Sequence, residues 1–381
     1  MTDISVSVFF PRDNAWYRHL AGQIAGGFAG RDVRLSWHCG PLNEAEMLAW
    51  IKERGTRVIF DMNRPRSDLP YLPADIVHIC WIVDFNGRPI NDFHGSEITY
   101  LFGPKWLEKY PHRAFHRWFG PGACPQSYCP SGTELANRAA FVGHIPRPWR
   151  HEELARDISQ SGPPLKFGEF LPHIEQALLE NRASLKVHED YMRLLSDLAL
   201  ALFGVELRAD RTLEYDMTGR LIRLVNRREL LDALVDLKLP LDIYGPENWR
   251  DWPAYRDYYR RFLNDPGDMR AVYESSMNFH EGNGMHFRVV DCMASAGLIF
   301  VRKGEYDEKP GGIKTFFTPG EHYIEFDIDD LSDKVEFYRD NPQEANRIRN
   351  NAAQEILNHH TWRHRVDSIF NDLKTIGYSS V

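Results

Sequence analysis

The sequence predicts an α/β protein built from two Rossmann-like halves, with a mostly helical insertion in the second. Three observations carry this. Short, near-continuous apolar runs alternate with helical stretches through the first third of the chain. The same alternation restarts after residue 139, and a strand-poor segment interrupts it at about 150–225. Apolar strands separated by helices imply parallel sheets covered on both faces.

The first half places strands at 6–10, 34–38, 57–62, 77–85 and 98–103, with helices at 14–28, 44–53 and 105–110. The stretch 117–132, dense in Gly, Pro and Ser, reads as a connector between domains. The second half opens with a strand in AAFVGHIP (139–146). It resumes with a helix at 227–237, a strand at 240–246, a helix at 252–263 and a strand at 298–301. Residues 331–373 are strongly helical, with Asp329 or Asp330 placed to cap and Pro342 near the start of a further helix. The predicted domains are therefore 1–130 and 137–361, with a C-terminal helix over 362–381 free to pack back on the first domain.

Bulk properties limit the functional classes. The 381 residues suit two domains, and 43% hydrophobic with 26% charged residues is ordinary for a globular chain. A net charge of −8 argues against a broad nucleic-acid-binding face. No run approaches the roughly 18 apolar residues of a spanning helix, and MTDISVSVFF lacks a signal-peptide pattern. The five scattered cysteines fit reduced thiols, so the chain is predicted to be cytoplasmic. His112, His116, Cys124 and Cys129 match no zinc spacing and read as loop residues.

The chemistry concentrates in FHEGNGMHFRVVDCMASAGLIFV (279–301). In doubly wound sheets ligands bind beyond the carboxyl ends of strands, where helix N-termini favour anions. Gly282 and Gly284 let the main chain approach a phosphate. With a helix starting near Met285, Arg288 falls in its first turns and could pair with phosphate oxygens. Asp291, an acid inside a run of small residues, is placed to accept hydrogen bonds from a ribose diol.

These residues resemble the donor-binding segment of GT-B glycosyltransferases, usually E-G-F-G-L…E-A-M-A-C-G. The likeness is greatest to the spore-maturation (CgeB-like) branch. EGNGM (281–285) and DCMASAG (291–297) correspond, as do P-G-E at 319–321, a closing H-T-x-x-x-R at 360–365 and a linker-like WFGPGACPQSYCP at 118–130. The likeness covers residues 118–148 and 227–366. It implies two Rossmann-like domains facing each other across a cleft, a nucleotide-sugar donor held mainly by the second, and an acceptor on the first. Asp291 then stands where the family's second acid holds the ribose hydroxyls. Glu281 stands for the first acid, ten positions earlier instead of the usual eight, with His280 and Asn283 as alternatives there. Gly245 joins the same donor-binding set.

A base near the acceptor hydroxyl is sought at strand ends of the first domain. Asp84, closing CWIVDFNGRP (80–89), fits and also resembles the W-x-x-D of this branch; an ordinary turn-starting Asp is the competing reading. Asp61 in IFDMNRP (59–65) is the second candidate. DIDD (327–330) and HHTWRH (359–364) read as helix-end chemistry, so no metal and no cofactor are expected. The expected activity is sugar transfer to a glycan, protein or small-molecule acceptor. A nucleotide-sugar epimerase or hydrolase, or a non-catalytic nucleotide-sugar scaffold, are the alternatives. A nicotinamide enzyme is disfavoured, because FFPRDNAW stands where G-x-G-x-x-G would follow the first strand.

Overall fold

The computed structural model describes residues 4–378 except 86, 113, 182–183, 209 and 283, and the side chain of residue 218. The fold is α/β with parallel sheets in two Rossmann-like arrays, as the sequence predicts. Two compact units result. One comprises 1–84, 91–137 and 263–381; the other comprises 85–90 and 138–262.

In the larger unit the first array is a six-stranded parallel sheet of order β2-β1-β3-β4-β5-β6. Its strands are β1 (Ile4–Phe10), β2 (Val33–Cys39), β3 (Val58–Met62), β4 (Val77–Ile82), β5 (Ile98–Leu101) and β6 (Phe115–Trp118). Every residue of β1 and β3 is buried, as strands covered on both faces must be. Helix α1 (Ala15–Phe28) is capped by Asn14, whose side chain accepts from the Tyr17 N–H. Helix α2 (Glu44–Arg54) starts in an Asn43/Glu46 capping box and stops at Gly55, φ +61°.

The smaller unit holds a parallel pair, β7 (Ala139–Val142) with β10 (Leu241–Tyr244). The predicted insertion appears as helices α3 (His151–Ala155), α4 (Phe167–Glu180), α5 (His188–Phe203) and α6 (Arg211–Glu214), and α7 (Leu221–Asp236) carries the predicted 227–237 helix. These helices close over a core of their own that includes Phe167, Phe170, Leu195 and Leu221. It also contains a short antiparallel pair, β8 (Ser159–Ser161) with β9 (Glu206–Leu207), which no alternation in the sequence announced.

Back in the larger unit, helix α8 (Pro266–Ser275) leads into β11 (Met277–His280). Helix α9 (Phe287–Ala294) and β12 (Leu298–Arg302) follow, and β13 (Ile324–Phe326) extends the parallel set β11-β12-β13. Helices α10 (Leu331–Asp340), α11 (Pro342–His359) and α12 (Trp362–Thr375) end the chain. Asp330 precedes α10 and bonds the Asp327 N–H at 2.8 Å, so DIDD is helix-end chemistry. Pro342 is the first residue of α11.

Helix α12 packs on α1. Gly27 and Gly122 make room, since a Cβ at either would lie 2.8 Å or less from Trp362 backbone atoms. The Tyr100 hydroxyl donates to Asp372 at 2.6 Å, and Arg117 pairs with the same carboxylate at 2.7 Å. The buried Arg365 donates to the Pro121 carbonyl, so the closing H-T-x-x-x-R ties α12 to the 118–130 segment.

Four local expectations need correction. Residues 252–263 form no helix. After Pro253 the chain runs beside β10, with Ile243 N–H donating to Tyr258 O, Arg260 N–H to Ile243 O and Gly245 N–H to Arg261 O. An available strand edge satisfied this Tyr/Arg-rich backbone better than a helix beginning at proline. The 105–110 segment makes only a 3₁₀ turn at Pro104–Trp106, cut short before Pro111. β6 lies where the connector was expected to begin; His116 and Arg117 on an edge strand mask its apolar signal. Finally, α9 begins at Phe287, capped by His286, two residues later than expected.

Candidate active site

β11 is buried along its length and ends at His280, delivering the 281–286 loop to the start of α9. The His286 side chain accepts from the Arg288 N–H at 3.3 Å and so begins the helix. Phe287, the first helical residue, fixes where this end sits. It stacks on Phe102 (5.5 Å, 13°) and meets Trp16 edge-on at 5.4 Å and Trp81 at 5.9 Å. Trp81 belongs to β4, Phe102 follows β5, and Trp16 opens α1. The aromatic cluster therefore brings the carboxyl ends of β4 and β5 to the N-terminus of α9, the positive end of its dipole.

The loop's two glycines do different work. Gly282 sits at φ +127°, which other residues rarely adopt, and its missing side chain points into open space. Its main chain is therefore approachable by a ligand. At Gly284 a Cβ would lie 2.6 Å from the Ile313 side chain, so this glycine serves packing of the segment after β12. Asn283 lies outside the described residues.

Arg288, expected to meet phosphate, is bound by an internal anion. Its Nη2 donates to both carboxylate oxygens of Glu281, at 3.1 and 3.2 Å. His280 Nδ1 is 3.4 Å from the same carboxylate, and its ring lies 5.2 Å from that of His286. Cation, acid and two imidazoles thus converge where β11 meets α9.

Asp291 lies in the second turn of α9 and is 8% exposed. Burial pushes its carboxyl well above the usual carboxylate range. Its charge would in turn hold up the hydroxyls of Tyr128 and Tyr273, each raised first by its own burial. Among the described residues the buried Tyr273 hydroxyl has no hydrogen-bond partner. These two tyrosines, one in the 118–130 segment and one in α8, are site neighbours that sequence reasoning missed. No spacing rule links them to Asp291.

Asp84 is half-buried just past β4. Its N–H donates to Asn63 Oδ1 at 3.0 Å, and its carboxylate adds to burial in holding the Tyr17 phenol high. Asp61, at the end of β3, is 2% exposed and paired with Arg64 at 2.7 Å. Burial outweighs that partner and pushes its carboxyl up to about 7. Both base candidates thus stand at the carboxyl edge of one sheet.

Gly245 follows β10 in the smaller unit, where a Cβ would come within 1.9 Å of the Gly143 carbonyl oxygen. Close packing of the β7 and β10 exits accounts for it. Beside it His144 meets Asn248 at 3.2 Å; burial, then Arg227 and Arg223, hold its imidazole down at about 4. Among the described residues no group of three or more His, Cys, Asp and Glu side chains is arranged to hold a metal.

Comparison with known proteins fits this arrangement. Residues 223–371, from α7 through most of α12, match the family model described as glycosyl transferase-like. Over the whole chain the fold is similar to sucrose-phosphate synthase from Thermosynechococcus elongatus (TM-score 0.58, 9% identity, 98% of this chain and 99% of that one). It is also similar to a glycosyltransferase from Rickettsia africae (0.50, 8%, 99% and 99%) and to HepE from Anabaena, solved with UDP-glucose (0.50, 10%, 97% and 99%). No curated protein sequence matches the chain.

The fold matches that of GT-B glycosyltransferases. The chain's segment 223–371 is similar to the glycosyl transferase-like family.

Proposed function

We propose that the protein transfers a sugar from a nucleotide-sugar donor to a hydroxyl of a glycan, protein or small-molecule acceptor. The observation that carries this reading is the loop 281–288, where an open Gly282 backbone, a helix N-terminus and Arg288 converge beside the carboxyl ends of β4 and β5. Such a site suits a diphosphate, and its positive charge stabilises the nucleoside diphosphate as it departs. The reading requires no metal for that role.

In the direct-displacement form, the acceptor oxygen attacks the anomeric carbon as the bond to the diphosphate oxygen breaks. The bonding pair leaves with the diphosphate, and the acceptor proton passes to Asp84. Asp291, within α9, is the residue assigned to the ribose hydroxyls. His280 and Asn283 complete the assigned donor set. The P-G-E loop and closing H-T-x-x-x-R support a place in the spore-maturation branch. The five cysteines, all unbridged, accord with a reducing cytoplasm. Among the described residues no helix is long and apolar enough to cross a membrane.

The test is a panel of UDP-, GDP-, dTDP- and CMP-linked sugars screened for thermal stabilisation, beginning with UDP-glucose. A ligand at about 100-fold its Kd adds roughly 2.7 kcal/mol of apparent stability. Stabilisation by one nucleotide class, reduced in Arg288→Ala, is expected. Failure of every nucleotide sugar to stabilise the protein would overturn the assignment.

A further inference from the structure

We infer that Asn63 is the positioning residue for Asp84, acting as a surrogate strand rung that sets the direction of the candidate base. The inference rests on Asp84 having the role proposed above.

The β3–β4 ladder ends at the pair Met62 and Trp81. Beyond it the two chains part, and the N–H groups of Val83 and Asp84 would lose their partners. Asn63 takes them both. Its Oδ1 accepts from Val83 N–H at 2.7 Å and from Asp84 N–H at 3.0 Å, using the two lone pairs of one carboxamide oxygen. Its own N–H donates to the Trp81 carbonyl at 2.9 Å. Three hydrogen bonds from one residue therefore hold Trp81, Val83 and Asp84 itself.

The backbone of Asn63 shows the same purpose. It lies at φ +61°, the left-handed region that asparagine tolerates better than other side-chain-bearing residues. That turn aims its side chain across the strand exit in place of continuing along β3. A carboxylate would accept from the same two N–H groups and also tolerates this backbone. Glycine tolerates the backbone but has no acceptor. The two substitutions thus separate hydrogen bonding from chain conformation.

The experiment compares Asn63→Gly and Asn63→Asp with the natural protein. Amide exchange at Val83 and Asp84 should be slow in the natural protein and in Asn63→Asp, and markedly faster in Asn63→Gly. With a nucleotide sugar from the panel, Asn63→Gly should lose kcat by about 10²-fold, as expected for a misplaced catalytic group, with the donor KM unchanged. Asn63→Asp should restore most of that rate. Fast exchange of both amides in the natural protein would overturn the inference, and that measurement stands even if Asn63→Gly does not fold. Full kcat in Asn63→Gly alongside an inactive Asp84→Asn would overturn it too. Full kcat in Asp84→Asn would instead remove the catalytic reading of Asp84 and leave the exchange data to decide the brace.

Discussion

Arg288 Nη2 lies 3.1 and 3.2 Å from the two carboxylate oxygens of Glu281, so the cation assigned to the donor diphosphate already holds an anion of its own chain. Both side chains are largely buried, at 16% and 12% exposure, where a charge pair is only weakly screened. A diphosphate must therefore compete with Glu281 for the guanidinium.

This competition yields the first prediction. Arg288→Ala should weaken nucleoside diphosphate binding by about ten-fold or more, the scale of a charge-assisted hydrogen bond. Glu281→Gln should bind the free nucleoside diphosphate more tightly, because the internal competitor is gone, while sugar transfer falls. Isothermal titration and initial rates check both. Weaker diphosphate binding in Glu281→Gln would show that the acid contacts the nucleotide directly.

Asp291 gives a pH prediction. Its carboxyl is raised in the folded protein, so the folded state binds a proton that the unfolded chain releases near the ordinary aspartate value of about 4. Stability is full below that value and falls as pH rises from there toward the folded-state pKa. Asp291→Asn removes this titration. Its unfolding midpoint should exceed that of the natural protein by more at pH 8 than at pH 4, while nucleotide-sugar binding is lost. An equal difference at both pH values would show that the acid is charged in the fold.

The two base candidates separate by kinetics. Asp84→Asn should lower kcat by 10² to 10⁴-fold, the usual range for a general base. Asp61→Asn should cost far less in kcat, because that carboxyl is buried and held by Arg64. Its effect should fall on stability and depend on pH, because burial has pushed that carboxyl up to about 7 against the pull of Arg64. A larger kcat loss in Asp61→Asn would reverse the assignment.

Gly284 and Ile313 should behave as a coupled pair. Gly284→Ala collides with the Ile313 side chain and should destabilise the protein by about 1–3 kcal/mol. Ile313→Ala in the same chain should recover part of that loss, read as a coupling energy in urea unfolding. Purely additive effects would mean that the contact is not the reason for the glycine.

Much of the fold was legible in the sequence because strands buried on both faces write themselves as unbroken apolar runs. VSVFF and RVIFDM lie in β1 and β3, and the α1 and α2 caps stand in plain sequence at Asn14 and Asn43. Where partners lay far away in the chain, the reading failed. The 252–263 stretch followed a distant β10 edge, and β6 carried an edge strand's mixed polarity.

The sequence by itself determined the α/β class, the helical insertion and the concentration of glycines and charges between β11 and β12. Tertiary structure decided what each of those residues does. It gave Gly282 to open backbone and Gly284 to Ile313, engaged Arg288 with Glu281, and buried Asp291 near Tyr128 and Tyr273. It also set the Asn63 carboxamide across the exit of β4. The physical reason is range. Periodicity and capping act over a few residues and are written locally, whereas burial, charge pairing and side-chain hydrogen bonds join residues that only the folded chain brings together.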